Sequence, residues 1–437
     1  MRNLATIVTI DTKNKMYQKD KICVVTFKEL GYEAIVPVEV NIGDKMVFIQ
    51  EGSILPEIER WEFLRKRCYS NSEKGFIIRP MTMGAKDFNG EKGDKVKSWG
   101  LSVTLEEAGL DANLSAGTDV TDLLKIRKYE PKGEESPMPD KTPKFIKWCL
   151  KHKLFRWIGN RYLNKRKGGV LRFPTDIIGK SDETTIQNCK SIIPQFIGTK
   201  AYITAKMEGQ SFTCGLDPKT KKFFICSRNN RFSKKSANAI DFYNASEKYD
   251  IENKLKQYYK KTGKIVVLQG EQCGPGIQGN IYNLDNPTWF LFRAKIYKNK
   301  TWIATSGFSE LKEIADLFGI NIVPLIEEVD DLGEKFGVHI IENSLDKTYN
   351  YNDVIDNLVK YAEKLYWVPN NLTYSPKNNE KLWKDYLQHE GIVVKSFDYD
   401  KEKGIGFSFK VKNCAYAEKQ YSQMHDIAQR GKNKWSL

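Results

Sequence analysis

Short runs rich in β-branched residues recur through the first 130 positions of the chain. They cover residues 6–10, 21–27, 32–40, 45–49, 75–83 and 98–105. Turn residues such as Gly31 and Gly43 lie between them. Several short strands separated by turn signals are typical of a small barrel or sandwich. The pattern therefore predicts a β-rich N-terminal unit.

The pattern changes after residue 130. Residues 131–140 contain three prolines and no periodicity, which is typical of a linker. A basic segment, 144–169, follows and ends at Gly168 and Gly169. Its apolar residues recur at helical spacing; they are Phe145, Trp148, Cys149, Phe155, Ile158 and Tyr162. We expect a cationic helix that either contacts phosphates or only joins two units.

Strand and helix patterns alternate from residue 170 onward. The predicted strands are 202–209, 211–216, 222–227, 264–272, 288–297 and 391–398. The predicted helices are 246–261, 309–319 and 352–367. The span 330–386 is expected to hold an added helical element. Together with the N-terminal strands, these elements predict an α+β protein.

Charge points to a polyanionic partner. The 437 residues include 70 Lys and Arg but only 55 Asp and Glu, a net charge of +15. Such a surplus favours binding to nucleic acid or to an anionic surface, although a basic protein without a specific partner would look the same. In the N-terminal unit, the candidate phosphate contacts are Lys13, Lys15, Lys28, Lys45, Arg65, Lys66 and Arg67. Taken singly, each also fits a solvated surface charge.

Several classes of protein are disfavoured by what the sequence lacks. The eight cysteines include no CxxC pair and the four histidines are scattered, which argues against a zinc site or a Ser-His relay. There is no phosphate-binding GxxxxGK[ST] loop and no kinase signature. No signal peptide or spanning segment is evident, so we expect a soluble, intracellular protein with reduced thiols.

Candidate chemistry begins at Lys206, which ends an apolar strand and is followed by Glu208 and Gly209. Alone, this tetrapeptide is a weak signal, and a surface lysine on a hairpin is the simpler interpretation. Further charged and aromatic residues lie on predicted strands or beside their ends, in the order Arg228, Glu271, Phe292, Glu390, Lys395, Lys410 and Lys412. Taken singly, Phe292 also fits a core position, and Lys395 a surface charge.

In this order, the set resembles the six motifs of the covalent nucleotidyltransferases, the superfamily of polynucleotide ligases and mRNA capping enzymes. The resemblance implies that Lys206 is the nucleophile that becomes AMP-lysine. Neighbouring cations and desolvation would lower the pKa of a lysine amine. Lys410 and Lys412 would supply those cations and hold the triphosphate.

The same resemblance implies the other roles. Glu271 and Glu390 would bind Mg²⁺ or Mn²⁺, whose preferred ligands are oxygens. Glu208 would bind ribose or join the metal's shell, and Arg228 would grip ribose or phosphate. Phe292 would stack on adenine. Lys395 belongs to the predicted nucleotide-binding set.

Within the superfamily, the chain looks most like RNA ligases of the Naegleria type. Four regions carry this likeness: ATIVTID (5–11) with 42–56, SWGLSV (98–103) with 117–131, RFPTDIIGKSDETTIQN (172–188), and GEQCGPGIQGNIYNL (270–284). Thr185 departs from the pattern, because relatives usually carry arginine there. Glu208 departs too, since ligases often have aspartate.

This resemblance implies an OB-fold RNA-binding barrel over residues 1–132, a helical linker over 133–169 and an adenylyltransferase domain over 170–437. That domain would consist of antiparallel sheets flanked by helices, in an ATP-grasp-like ligase fold. The implied function is ATP-dependent sealing of 3′-OH/5′-phosphate RNA ends or nicks through lysyl-AMP and RNA-adenylate. We expect a monomer.

Two other functions stay open. A DNA ligase or a capping guanylyltransferase would share the motifs, but both normally place their OB domain after the nucleophile. Here only 25 residues follow Lys412. A non-catalytic RNA-binding protein that has kept the fold is the other alternative, and the presence of all the charged motif residues disfavours it.

Overall fold

The structure is a computed structural model that describes most of the chain. The described residues are 3–71, 73–129, 145, 148, 152, 155, 157, 170–234, 236, 239–278, 280, 282, 284–305, 307–340, 347–367, 374–376, 387–388, 390–400, 403–414 and 416–417. The predicted linker 131–140 and nearly all of the predicted basic helix 144–169 lie outside them. In the described part, no helix is long and apolar enough to cross a membrane.

Eleven strands lie in the N-terminal part of the described chain. They are β1 (Ala5–Met16), β2 (Lys19–Phe27), β3 (Glu33–Pro37), β4 (Lys45–Gln50), β5 (Ser53–Pro56), β6 (Tyr69–Ser70), β7 (Gly75–Ile77), β8 (Met81–Phe88), β9 (Glu91–Ser98), β10 (Gly100–Thr104) and β11 (Arg127–Lys128). A 3₁₀ helix, Glu59–Leu64, and the short helix α1 (Arg65–Cys68) follow β5.

The long strand β1 explains how these strands curl into a nearly closed, barrel-like sheet. Its first half, Ala5 to Thr9, pairs antiparallel with β4. Its second half, from Ile10 to Met16, pairs with β2, and the register shifts between Ile10 and Thr12. Such an irregularity bends a strand, so one strand serves two stretches of sheet. The sheet order is β10-β4-β1-β2-β3, with β8 joining β1 to β9. We call this sheet the N-terminal barrel.

The region from residue 170 onward, here the C-terminal region, holds the other strands. They are β12 (Val170–Arg172), β13 (Thr184–Thr185), β14 (Ala201–Ala205), β15 (Gln210–Leu216), β16 (Phe223–Cys226), β17 (Asn230–Phe232), β18 (Ile265–Cys273), β19 (Thr288–Lys298), β20 (Thr301–Ala304), β21 (Asn321–Ile322), β22 (Leu325–Val329), β23 (His339–Ile340), β24 (Lys347–Thr348), β25 (Leu365–Trp367), β26 (Tyr374–Pro376), β27 (Leu387–Gln388), β28 (Gly391–Ser396) and β29 (Ser408–Lys412).

Two of its sheets matter for function. The larger sheet has the order β12-β17-β16-β15-β18-β19-β20, with β21 beside β19. The smaller has the order β13-β29-β28-β14-β22. Neighbours pair antiparallel except β13 with β29 and β19 with β21. Mostly antiparallel sheets with helices agree with the predicted α+β class.

Helices cover the outer faces of both sheets. They are α2 (Ile240–Lys248), α3 (Ile251–Thr262), α4 (Gly307–Phe318), α5 (Leu332–Phe336) and α6 (Tyr351–Glu363), with 3₁₀ turns at Ile186–Asn188 and Lys190–Phe196. The α3 and α4 helices bury Leu255 and Leu311 against the larger sheet, and α6 buries Leu358 against the smaller one. Each apolar helical face is thus matched to one face of a sheet.

Several predicted elements differ from the structure, among them the following three. The helix predicted over 246–261 is two helices, because Asp250 adopts a left-handed conformation with φ of 52° and ends the first of them. The helix predicted over 352–367 ends at Glu363, and Leu365–Trp367 is a strand. The strand predicted over 75–83 is two strands, β7 and β8, interrupted around Pro80, where proline removes a backbone donor.

The N-terminal barrel docks on the C-terminal region through specific contacts. The side-chain amides of Gln50 and Asn188 donate to each other's oxygens at 3.0 and 3.1 Å. The backbone N–H of Gly31 donates to the Gln187 carbonyl at 2.8 Å. Further along, Lys97 pairs with Glu363 of α6 at 2.6 Å. These contacts fix the barrel close to the strands that carry the predicted site.

Candidate active site

Lys206 lies at the point where a buried strand of the smaller sheet ends. Every residue of β14 is buried, and Lys206 follows directly. Its backbone N–H donates to the Gly391 carbonyl at 2.9 Å. Its Nζ lies 2.5 Å from Oε2 of Glu390, and its side chain is 22 % exposed. Backbone and side chain are thus both fixed by the turn that opens β28.

The charges around Lys206 differ from the sequence-based expectation. Burial by itself lowers the pKa of the lysine, but the carboxylates of Glu390, Glu271 and Glu208 outweigh it, so the pKa is raised. The main charges that shift this pKa are these carboxylates and not the expected cations, Lys410 and Lys412. The amine therefore rests as an ammonium among acids, and it needs compensation of those negative charges before it can act as a nucleophile.

Glu208 is held by two tyrosines. Its backbone N–H donates to the Tyr282 hydroxyl at 2.6 Å. The Tyr416 hydroxyl donates to Oε2 of Glu208. Burial, followed by the charge of Glu208, raises the pKa of Tyr416, so this phenol stays protonated as a donor. The following Gly209 packs so close to β18 that a Cβ would lie 2.3 Å from the Gln272 carbonyl oxygen.

Arg228 and Lys410 both act on Asp182, a carboxylate that is not part of the predicted motifs. Arg228 contacts Asp182 twice, with Nη2 at 2.5 Å and Nε at 3.2 Å from its oxygens. Burial raises the pKa of Asp182, but Arg228, Lys410 and Lys128 together lower it below its usual range. Asp182 thus gathers cations from the larger sheet, the smaller sheet and β11.

Lys410 and Lys412 alternate with buried residues along β29. Phe409 and Val411 point into the core between the smaller sheet and α6, and both are fully buried. The two lysines are therefore on the opposite face. Lys412 forms an ion pair with Glu51, at the end of β4 in the N-terminal barrel. The structure thus adds a barrel residue to the predicted site.

Lys395 is a buried residue. It is 4 % exposed, and its Nζ donates to the Phe292 carbonyl at 3.0 Å. The same Nζ lies 5.6 Å from the centre of the Phe292 ring and 3.9 Å from Glu183. The alternative interpretation of Lys395 as a surface charge is therefore wrong. Phe292 is only partly buried, beside a cluster that includes Met207 and Tyr282, which leaves part of its surface open.

The structure thus groups the predicted residues into linked sets. The pKa of Lys206 is raised by Glu208, Glu271 and Glu390. The pKa of Asp182 is lowered by Arg228 and Lys410. The carbonyl of Phe292 accepts a hydrogen bond from Lys395. The sequence analysis missed five contributors: Glu51, Asp182, Glu183, Tyr282 and Tyr416. Four of them lie in segments that carried the ligase resemblance, so a signal existed: Glu51, Asp182, Glu183 and Tyr282. Tyr416 lies outside those segments.

The carboxylates around Lys206 suit a divalent cation that keeps part of its water shell. Three negative charges face one ammonium, an excess that a metal would neutralise. Within the described residues, no group of three His, Cys, Asp or Glu side chains could hold a metal. Glu271 and Glu390 therefore fit Mg²⁺ or Mn²⁺ bound by few protein oxygens and by phosphate, as is usual at nucleotide sites.

The chain resembles known proteins in the sequence of one segment and in its overall fold. A family model described as RNA ligase matches residues 199–412. This segment belongs to the RNA ligase family. The match contains all nine predicted site residues, and it confirms the prediction of an RNA ligase. No protein of curated function matches the sequence.

The fold of the whole chain has counterparts among solved structures. The Naegleria gruberi RNA ligase with PPi has 22 % identity and a TM-score of 0.65, covering 97 % of this chain and 100 % of that one. A lysine-to-alanine mutant of it with ATP and Mn has the same identity and TM-score, covering 95 % and 98 %. A lysine-to-methionine mutant with AMP and Mn covers 96 % and 99 %, again at 22 % and 0.65. Likeness at this identity shows a shared fold.

Proposed function

We propose that this chain is an ATP-dependent RNA ligase that seals a 3′-OH to a 5′-phosphate, with Lys206 as its nucleophile. One observation carries the proposal. Lys206, at the end of a buried strand, is surrounded by Glu208, Glu271 and Glu390, within the segment that matches the RNA ligase family. The solved relatives with ATP, AMP and Mn support ATP and a divalent metal as the partners of this site.

In the first step, Lys206 loses a proton to solvent and its lone pair attacks the α-phosphorus of ATP. A phosphorus–nitrogen bond forms, the bond from the α-phosphorus to the bridging oxygen breaks, and pyrophosphate leaves with the electron pair. Glu271 and Glu390 would hold a divalent metal, which would neutralise the phosphate charge. Lys410 and Lys412 hold the phosphates, since they lie together on one face of β29.

The adenosine is held by the other residues of the set. The exposed part of the Phe292 ring stacks on adenine. Lys395 fixes the backbone of Phe292 through the hydrogen bond to its carbonyl. Glu208, oriented by Tyr282 and Tyr416, accepts from the ribose hydroxyls. Arg228, oriented by Asp182, donates to ribose or phosphate.

Two transfers complete the reaction. An oxygen of the RNA 5′-phosphate attacks the phosphorus of lysyl-AMP, which frees Lys206 and gives RNA-adenylate. The 3′-OH then attacks the 5′-phosphorus, AMP leaves, and the strand is sealed. We propose that the barrel, as an OB-fold unit over residues 1–132, grips the RNA backbone, because the chain carries a net charge of +15. Residues 170–437 form the adenylyltransferase unit, joined through 133–169.

Incubation with α-labelled ATP and Mg²⁺ or Mn²⁺ tests the first step. The wild type should form an adduct that survives denaturation, and Lys206→Ala should form none. An adduct of equal yield with Lys206→Ala would refute the nucleophile. Labelling by GTP but not by ATP would instead indicate a capping enzyme.

Sealing assays test the substrate. Matched nicked duplexes, with RNA or DNA at the nick, are offered to the wild type and to Lys206→Ala. Sealing of RNA by the wild type alone is expected, and preferential sealing of DNA would refute the RNA assignment. RNA binding without any adduct would favour a non-catalytic protein.

A further inference from the structure

The contact between Glu51 and Lys412 joins the N-terminal barrel to the active-site face of β29. Glu51 is only 6 % exposed, and the side chain of Lys412 is 18 % exposed. The carboxylate oxygen Oε1 accepts from the ammonium in a charge-assisted hydrogen bond. A pair this shielded from water is screened far less by salt than a surface pair.

Glu51 has little freedom to leave this position. Its backbone N–H donates to the Trp99 carbonyl at 2.9 Å. The preceding residue, Gln50, forms the reciprocal amide pair with Asn188 of the C-terminal region. Position 51 is therefore fixed both within the barrel and against the unit that carries Lys412.

The chain beyond Lys412 is fixed on both sides as well. The Asn413 N–H donates to the Glu390 carbonyl at 2.9 Å, and Cys414 is buried within an apolar cluster of the barrel. Lys412 is the last residue of β29, and it lies between the turn at Glu390 and the barrel. The backbone of Lys412 is therefore fixed, and its ammonium is held by one carboxylate partner.

The energetics favour a persistent pair. Moving Lys412 away would leave the buried carboxylate of Glu51 without this cation, which is strongly unfavourable. An ammonium has three donors, so the pair with Glu51 uses one and leaves others for phosphate. A lysine side chain otherwise samples many rotamers, and a fixed partner removes much of that freedom before substrate binds.

We propose that Glu51 is a positioning residue for nucleotidyl transfer, which aims the Lys412 ammonium at the phosphates from the N-terminal barrel. The barrel then takes part in the adenylylation step in addition to any role in gripping RNA. This inference rests on the proposed function, since it assigns Lys412 to ATP phosphates.

The test combines Glu51→Gln, Lys412→Met and the double variant in single-turnover adenylylation at saturating ATP. Glu51→Gln keeps the shape of the side chain but removes its charge, and it should lower the rate constant about ten-fold. In the Lys412→Met background, Glu51→Gln should change the rate less than two-fold, because Glu51 acts through that lysine.

A second readout separates positioning from general loss of structure. Pyrophosphate added to the isolated adenylylated protein should regenerate ATP, and Glu51→Gln should slow this reversal by the same factor as the forward step. Glu363→Gln is the matched control. It also changes an acid to an amide in an ion pair between the barrel and the C-terminal region. That pair joins Glu363, at the end of α6, to Lys97 and does not include Lys412. It should leave both rates unchanged.

The outcomes are distinct. A wild-type rate in Glu51→Gln, or an equal loss in Glu363→Gln, would overturn the positioning role while the ligase assignment stands. Independent, multiplying effects of Glu51→Gln and Lys412→Met would overturn it too. A faster reaction with tighter ATP binding in Glu51→Gln would mean that Glu51 competes with phosphate. Failure of the wild type to form any adduct would remove the proposed function and this inference together.

Discussion

The hydroxyl of Tyr416 donates a hydrogen bond to the carboxylate of Glu208. The two residues lie 208 positions apart in the chain, one just after β29 and the other just after Lys206. This bond ties the end of β29, the strand proposed to bind phosphate, to the turn that follows the proposed nucleophile, Lys206. It fixes the orientation of the Glu208 carboxylate.

Removing that hydroxyl should weaken nucleotide binding. A hydrogen bond to a charged group contributes about 1.5–3 kcal/mol, so Tyr416→Phe should raise the KM for ATP roughly ten-fold. The measurement is the ATP dependence of adduct formation. Tyr202→Phe is the control, because Tyr202 is also a buried tyrosine but lies on β14 with its ring against Phe308 and Phe397. An unchanged KM in Tyr416→Phe would mean that Glu208 does not need this donor.

Arg228 should not be replaceable by lysine. Its Nε and Nη2 both contact Asp182, and an ammonium cannot reproduce this two-point geometry. Arg228→Lys should therefore slow adenylylation on the order of ten-fold, measured as the single-turnover rate constant. Arg172→Lys, an exposed change on β12, serves as the control. If Arg228→Lys keeps the wild-type rate, the orienting role of Asp182 is wrong.

Asp356 makes the docked structure sensitive to pH. Burial and the nearby Glu33 raise its pKa to about 6, against the opposing effects of Lys86, Lys360 and Lys97. The pKa of Asp356 in the folded protein exceeds its usual value of about 3.9. Protonated Asp356 therefore contributes to the free energy of unfolding, fully below a pH of about 4, and this contribution is lost as the pH rises through 6.

Asp356→Asn should remove this dependence. The amide mimics the neutral acid, so above pH 6 the variant should be more stable than the wild type by about 1–2 kcal/mol, after allowance for partial exposure. At pH 4 the two should converge. Chemical denaturation at several pH values is the measurement. Two stability curves that run parallel from pH 4 to 8 would contradict the prediction.

Gly391 should not tolerate a side chain. Its φ is +151°, and a Cβ would lie 2.1 Å from the Val411 carbonyl oxygen, between β28 and β29. Gly391→Ala should destabilise the protein by about 2–4 kcal/mol and should reduce adduct formation, because the Gly391 carbonyl also anchors the Lys206 N–H. Denaturant unfolding and labelling by ATP check the two effects.

Gly404→Ala is the matched control for Gly391. Gly404 also has a positive φ, +66°, but nothing lies within 4 Å of its Cβ position. Gly404→Ala should lower the free energy of unfolding by only about 1 kcal/mol, the usual penalty for a non-glycine residue in the left-handed conformation. Equal losses at the two positions would show that the clash with Val411 relaxes without consequence.

Local patterns predicted the site where a functional residue lies next to a strand end. Lys206 and Arg228 follow apolar runs and Glu390 precedes one, so each was marked by its neighbours. Contacts between distant segments left no such mark. Glu51 follows an ordinary apolar strand, and nothing near it indicates that Lys412 is its partner. Tyr416 follows β29 as one of many tyrosines, and only the fold brings it to Glu208.

The chemistry was predicted less well than the positions. The sequence indicated cations around Lys206, because Lys410 and Lys412 follow in the motif order. The structure instead directs Lys412 to Glu51 and Lys410 toward Asp182, while acids surround Lys206. Which side chains face each other depends on the register of β14, β28 and β29, and the sequence does not specify that register.

The short strand β13 has a consequence for where the catalytic unit can be cut. Thr184 and Thr185 pair in parallel with Phe409 and Lys410, so they cover one edge of the smaller sheet. A fragment that began at residue 199, where the family match starts, would expose that edge to pairing between molecules. It would also lose the acid that Arg228 contacts. A fragment that keeps this edge covered and retains Asp182 should therefore begin no later than residue 170, where β12 starts.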